Sequence, residues 1–171
     1  MWYDSYMKDE LIDIVNEKDE VVGTSLKHDA HAQGKRLRIS HVFIFNSKGE
    51  LALQLRSTTV SFKPGHWVTT GSGHIGAGET YLDAGIRELR EEAGIDVPLT
   101  FEGTEFYKAD NGAEEFLGIM RGTYDGNFIC DADDVAEIRW CLMEEVQRMV
   151  TRGEPFHPEF LFLLRKRFGI S

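Results

Sequence analysis

A chain of 171 residues with 29 acidic and 19 basic side chains has a formal net charge of −10. That charge excludes a nucleic-acid polymer as the expected partner, because phosphate backbones are bound through basic surfaces. The length suits one domain with a substantial core, read here as residues 1–171, and no apolar run approaches the roughly 20 residues that a membrane-spanning helix needs.

The N-terminus, MWYDSYMKDE, is acidic and lacks the basic-then-apolar layout of a secretory leader. LIDIV (Leu11–Val15) and VVGTSL (Val21–Leu26), separated by NEKDE, predict a hairpin. HVFIF (His41–Phe45) and LALQL (Leu51–Leu55), joined by NSKG, predict a second one with cleaner alternation. HWVTT then leads into a Gly-rich loop, Gly71–Gly78.

A helix is predicted over Thr80–Ala93. Thr80 with Asp83 three residues on is a capping signal, Gly94 suits a left-handed C-cap, and Pro98 prevents continuation. Leu82, Ile86, Leu89 and Ala93 recur at helical spacing as an apolar stripe for the core. Beyond it, EFLGIMRGTY (Glu115–Tyr124) and EIRWCL (Glu137–Leu142) read as strands, and MEEVQRMV and PEFLFLLRKRF as two helices. A mixed β-sheet with helices on both sides accommodates this order, an α/β class. Cys130 and Cys141 supply neither a disulfide framework nor metal-ligand spacing and are expected as small buried residues. With no leader and no membrane span, the expected location is cytoplasmic.

The chemistry concentrates in GHIGAGETYLDAGIRELREEAGI, residues 73–95. Glu88, Glu91 and Glu92 stand at i, i+3 and i+4, so the helix sets them on one face, away from the apolar stripe. Like charges at that spacing cost a few tenths of a kcal/mol per pair unless compensated. A hard divalent cation, Mg²⁺ or Mn²⁺, is the natural compensation, since it takes oxygen ligands and keeps waters and substrate phosphates in its shell. Glu79, just before the helix, is expected to point at the same place, and Arg87 to orient one of the carboxylates. An isolated Glu-Glu pair would be ordinary solvated surface. Seven fixed residue types in register arise by chance at about 10⁻⁸ per starting position, so the whole pattern is not.

The pattern Gly73, Glu79, Arg87-Glu88-Leu89, Glu91-Glu92, Gly94-Ile95 resembles the signature of the Nudix hydrolases, with every position filled. The resemblance implies an α/β/α sandwich and a metal-dependent attack of water on the diphosphate linkage of a nucleoside-diphosphate derivative or related small organic diphosphate. Glu88, Glu91, Glu92 and Glu79 are the candidate metal ligands, and Glu91, Glu92 and Glu115 the candidates for the base. Arg56, Lys63 and Arg38, with Arg36, are candidates to meet the substrate phosphate. Phe62, Trp67 and Phe106 could stack on a base or line a pocket. A homodimer is compatible with the chain.

From Leu11 to Val97 the layout also resembles the branch that includes isopentenyl-diphosphate isomerase. That enzyme needs a cysteine in a Cys-Gly-His run, and the corresponding run here is Ser72-Gly73-His74. His31 and His74 fall on two histidines of its metal site, Arg38 on a third, Glu115 on one acidic ligand and Ala113 on the other. The departures favour hydrolysis over isomerisation, with a non-catalytic ligand-binding module as the third alternative.

Overall fold

The structure, a computed structural model, describes residues 10–171. The N-terminal segment read above as lacking a leader therefore lies, except for Glu10, outside the described residues. The first predicted hairpin is present as a separate two-stranded ribbon of β1 (Leu11–Val15) and β2 (Val21–Leu26). A short helix, α1 (Lys27–Ala32), follows it.

The main sheet has seven strands and is mixed. At its centre β3 (Leu37–Phe45) runs parallel to β8 (Glu114–Thr123), from Leu37 opposite Glu115 to Phe45 opposite Thr123. The other side of β3 is taken mostly by β6 (Gly71–His74), antiparallel, with Ile39 opposite His74 and Val42 opposite Gly71. The expected second hairpin is consequently reduced: β4 (Leu51–Arg56) meets β3 at the single rung Phe45–Leu51. It spends its length on β9 (Val135–Cys141) and on β5 (Trp67–Val68). β7 (Thr100–Lys108) pairs antiparallel with β8 on the far side.

Alternation along the central strands builds three layers. In β3, Val42 and Ile44 face α2 (Tyr81–Ala93), whose Leu89 and Ala93 cover them together with Ala52 and Met120. Ile39 and Phe43 face the opposite way, with Leu51 and Leu53, into a core closed by α3 (Met143–Thr151) and α4 (Pro158–Phe168). This is the expected α/β/α sandwich. Among the described residues no helix is long and apolar enough to cross a membrane. Cys141 is buried, whereas Cys130 is only half-buried; both are free thiols.

The signature helix forms for the reasons read in the sequence. Thr80 caps it by accepting from Asp83 N (3.1 Å), while the Asp83 carboxylate accepts from Thr80 N (3.3 Å). Gly94 ends it at φ 66°. Its rotation differs from the expectation. The buried residues are Ala84, Gly85, Leu89, Glu92 and Ala93, while Leu82 and Ile86 are only half-buried. Gly85 sets this rotation: a Cβ there would lie 2.7 Å from Met120 Cε and 3.2 Å from Val42 Cγ2, so the helix presses its glycine onto the sheet. Glu92 thus belongs to the buried face, continuous with the apolar stripe rather than opposite it.

Candidate active site

A cavity of about 640 Å³ opens between α2, β6, the start of β8 and the start of α4. One wall carries Glu88, Glu91, Glu92, Ser72, Gly73 and Arg56; the other carries His31, His74, Tyr107, Glu115, His157 and Glu159.

β6 delivers the first wall. Gly73 makes room for its neighbour, since a Cβ there would fall on the Glu88 carboxylate. The Glu88 carboxylate occupies the space that any other residue at position 73 would fill. Its side chain is 12% exposed, and Arg87 Nη1 donates to Oε1 at 2.5 Å. Burial pushes the Glu88 carboxyl up to about 7 despite the pull of Arg87. Glu92 is buried one turn further along. Its Oε2 accepts from Ser72 N (3.0 Å) and, with the Gln54 amide nitrogen turned toward it, from Gln54 (3.1 Å). Burial, with Glu88 nearby, drives the Glu92 carboxyl well above the ordinary range.

The four carboxylates expected to meet do not all do so. Glu79 is turned away from the cavity: Arg87 Nε and Nη2 donate to its two oxygens at 2.7 and 2.8 Å, and Gly76 N donates at 2.8 Å. The bond to Arg87 holds the Glu79 carboxyl below its usual range. Arg87 also donates to the His74 carbonyl (3.1 Å), so it ties α2 directly to β6 while holding both glutamates. Glu91 lines the cavity at its rim, with its side chain 60% exposed and 3.4 Å from Arg87. Among the described residues no three His, Cys, Asp or Glu side chains converge as a closed metal site.

The second wall is a polar cluster in which Glu115 and His157 are buried, His74, Tyr107 and Glu159 half-buried and His31 exposed. His31 and His74 face each other through their Nε2 atoms at 2.9 Å. Burial lowers both, His74 to about 3, so this pair is neutral, with one ring donating to the other. Glu159, in the first turn of α4, lies 2.9 Å from His41 Nε2. Glu115 and Glu159 lie close enough for each to shift the other's ionisation. Burial and Glu159 raise Glu115, to about 8. Burial would raise Glu159 too, but the bond to His41 wins and takes it down to about 2.

Of the candidate phosphate contacts, only Arg56 lines the cavity, its Nε donating to Phe62 O at 3.1 Å. Arg38 is outside the cavity wall, bound to Asp19 (Nε to Oδ1, 2.6 Å) and lying over the Tyr81 ring. Arg36 pairs with Glu114. Lys63 is also outside the wall, its ammonium over the Phe62 ring. Of the aromatic candidates Phe62 reaches the cavity, while Trp67 is core and Phe106 packs edge-on against Phe116. Tyr107, Gln54, His157 and Glu159 were not singled out from the sequence. The run HPE just before an apolar helix marks a helix start near His157, but only the fold brings it to the signature.

Residues 34–164 match the family described as NUDIX domain. The chain is 30% identical over 156 residues to the uncharacterised Nudix hydrolase PA4841 of Pseudomonas aeruginosa, covering 91% of this chain and 92% of that one. It is 31% identical over 149 residues to isopentenyl-diphosphate Delta-isomerase 2 of Photorhabdus laumondii, covering 85% and 84%. Among solved structures, DR0079 from Deinococcus radiodurans has a TM-score of 0.80 at 26% identity, covering 92% of this chain and 98% of that one. With the complete signature set on α2 and this family match across most of its length, the chain belongs to the Nudix family and is a Nudix hydrolase.

Proposed function

We propose that the protein is a Mg²⁺- or Mn²⁺-dependent hydrolase of the diphosphate linkage in a nucleoside-diphosphate derivative or related organic diphosphate, acting as one cytoplasmic domain. The observation that carries this reading is the buried pair Glu88 and Glu92, one turn apart on α2 and both opening on the cavity. Glu88 has a cation beside it in Arg87, whereas Glu92 receives only neutral donors. Two sheltered carboxylates whose one bonded cation, Arg87, serves Glu88 and Glu79 but not Glu92 are hard oxygen donors short of a cation, and that donor set fits a divalent ion completed by waters and substrate phosphates. When bound, the ion supplies neutralisation of the non-bridging oxygens and a lowered pKa for a bound water.

The chain's own residues have distinct parts in this reading. Glu88 and Glu92 would hold the ion with Glu91 at the rim, Arg87 fixes Glu88, and Glu79 fixes Arg87. Arg56 meets the phosphate. Water forms a bond to phosphorus as the bridging P–O bond breaks, and a carboxylate takes the proton that the water loses. Glu115, raised by burial and by Glu159 beside it, holds its own proton too tightly to do so. Glu92 has one oxygen committed to Ser72 N, which leaves Glu91, at the open rim, as the base. Isomerisation is disfavoured because Ser72, at the position of the missing thiol, is too weak an acid to exchange protons with carbon.

The test is release of monophosphate from a panel of nucleoside diphosphate derivatives and prenyl diphosphates with Mg²⁺. Turnover of at least one nucleoside derivative, lost in both E88Q and E92Q, is the expected result. Turnover in both variants at half the wild-type rate or more refutes the metal assignment.

A further inference from the structure

Gln54 is a fully buried amide in the middle of β4. It shares the α2-facing side of that strand with Ala52, while Leu51 and Leu53 face the other core. Its strand partners are Val68 and Ile138, an apolar setting in which an unpaired amide costs about 1–3 kcal/mol. With the amide oriented so that its nitrogen, and not its oxygen, faces the acceptors around it, the nitrogen bridges two of them, Thr70 O at 2.9 Å and Glu92 Oε2 at 3.1 Å. Ser72 N already donates to the same Oε2 at 3.0 Å. Two donors from two strands therefore fix one oxygen of Glu92, and among the described residues none bonds the other, Oε1.

We infer that Gln54 is a positioning residue, which holds Glu92 so that its free oxygen is presented to the ion and substrate. The inference rests on the proposed metal role of Glu92. Without Gln54 the carboxylate keeps a single donor, Ser72 N, about which it can rotate, and its charge loses half of its neutral support. A side chain that served only to fill the sheet would be better as an aliphatic residue of the same length, because the amide brings a desolvation cost with no packing return. The Thr70 carbonyl gives Gln54 a second anchor, which fixes the amide plane and hence the direction from which Glu92 is held.

Q54M keeps the volume and removes the donor. Its fold is checked by circular dichroism and melting temperature, with Q54L as the second variant should Q54M melt early. Mn²⁺ affinity is measured by electron paramagnetic resonance on the folded protein, alongside kcat with the best substrate of the panel. Loss of a residue that orients a metal ligand typically costs about 10–100-fold in metal affinity or activity, and that range is expected for both readouts. In the E92Q background the same substitution should change Mn²⁺ affinity by less than about twofold, since the charged ligand that Gln54 orients is gone. An inactive E92Q beside a Q54M of wild-type affinity and kcat overturns the role of Gln54 alone. A tenfold loss repeated in the E92Q background overturns it too, because Gln54 would then act elsewhere. An E92Q variant with wild-type turnover overturns the metal reading and this inference together.

Discussion

Replacing Glu88 with glutamine should stabilise the metal-free protein, and the pH dependence of the gain tests the electrostatics of the site. In the folded chain the Glu88 carboxyl is held at about 7 instead of its ordinary 4.5, chiefly by burial. At about 1.4 kcal/mol per pH unit, ionising it in the fold costs about 3 kcal/mol of stability. The folded state binds the proton more tightly than the unfolded chain, so stability falls as pH rises from 4.5 to 7. Below that window the carboxyl is protonated in both states and costs nothing; above it the whole cost is present. Glutamine keeps an oxygen to accept from Arg87 Nη1 and carries no charge to desolvate. At about 2–4 °C per kcal/mol for a chain of this size, E88Q should melt roughly 6–12 °C above wild type at alkaline pH in EDTA, and no higher below about pH 4.5. Saturating Mg²⁺ should reverse the order. Thermal melts of both proteins across this range, with and without chelator, provide the measurement. A gain equal at both ends of the range, or an E88Q less stable than wild type at alkaline pH in EDTA, refutes the reasoning.

Two glycines in β6 should separate function from folding. G73A forces the Glu88 carboxylate aside and should cost more than about tenfold in turnover at nearly unchanged melting temperature, by the same displacement of a metal ligand as above. G71A meets the Leu89 backbone, 3.1 Å away, and should instead lower the melting temperature with turnover per folded molecule retained. Mg²⁺ or Mn²⁺ should raise the melting temperature of the wild type, by about 2.7 kcal/mol at a hundredfold excess over Kd. NaCl at matched ionic strength should not, and the E88Q/E92Q double variant should lose the effect; identical shifts in both proteins would leave only a solvated acidic face. No deuterium should enter isopentenyl diphosphate in heavy water, and clear incorporation abolished by S72A would reverse the preference for hydrolysis.

The elements nearest the signature were legible because their signals are local. Thr80, Asp83 and Gly94 set the ends of α2 by bonds within a few residues of themselves. Both strands of the first hairpin, and α4, occur where their apolar patterns begin and end. β7 was missed, since Gly103 at φ 108° breaks the alternation of TFEGTEFYK and shifts its register against β8. α1 was missed because six residues without a side-chain cap carry too little periodicity. The site was legible in its residue types more than in their partners. Spacing placed Glu88 and Glu92 on one face but could not show that Gly85 would turn that face onto the sheet. Nor could it show that Arg87 would claim Glu79. Gln54 and Glu159 lie far from the signature in sequence; α4 carries Glu159 in, and strand pairing brings in Gln54.

That same pairing governs when the site comes into being. The parallel contact between β3 and β8 joins Leu37 to Glu115, so the sheet's centre closes a loop that contains the whole signature. Non-local parallel contacts are entropically costly to close and therefore slow to form. The cavity stands on both sides of this seam, with Ser72 and Gly73 on β6 flanking β3 at one edge and Glu115 on β8 at the other. Binding competence is thus a property of the finished sheet, and a chain caught before the seam closes carries the signature residues but no cavity to bind with. A ligand of this site acts on the lifetime of the native state, slowing its unfolding, and leaves the rate of folding almost untouched.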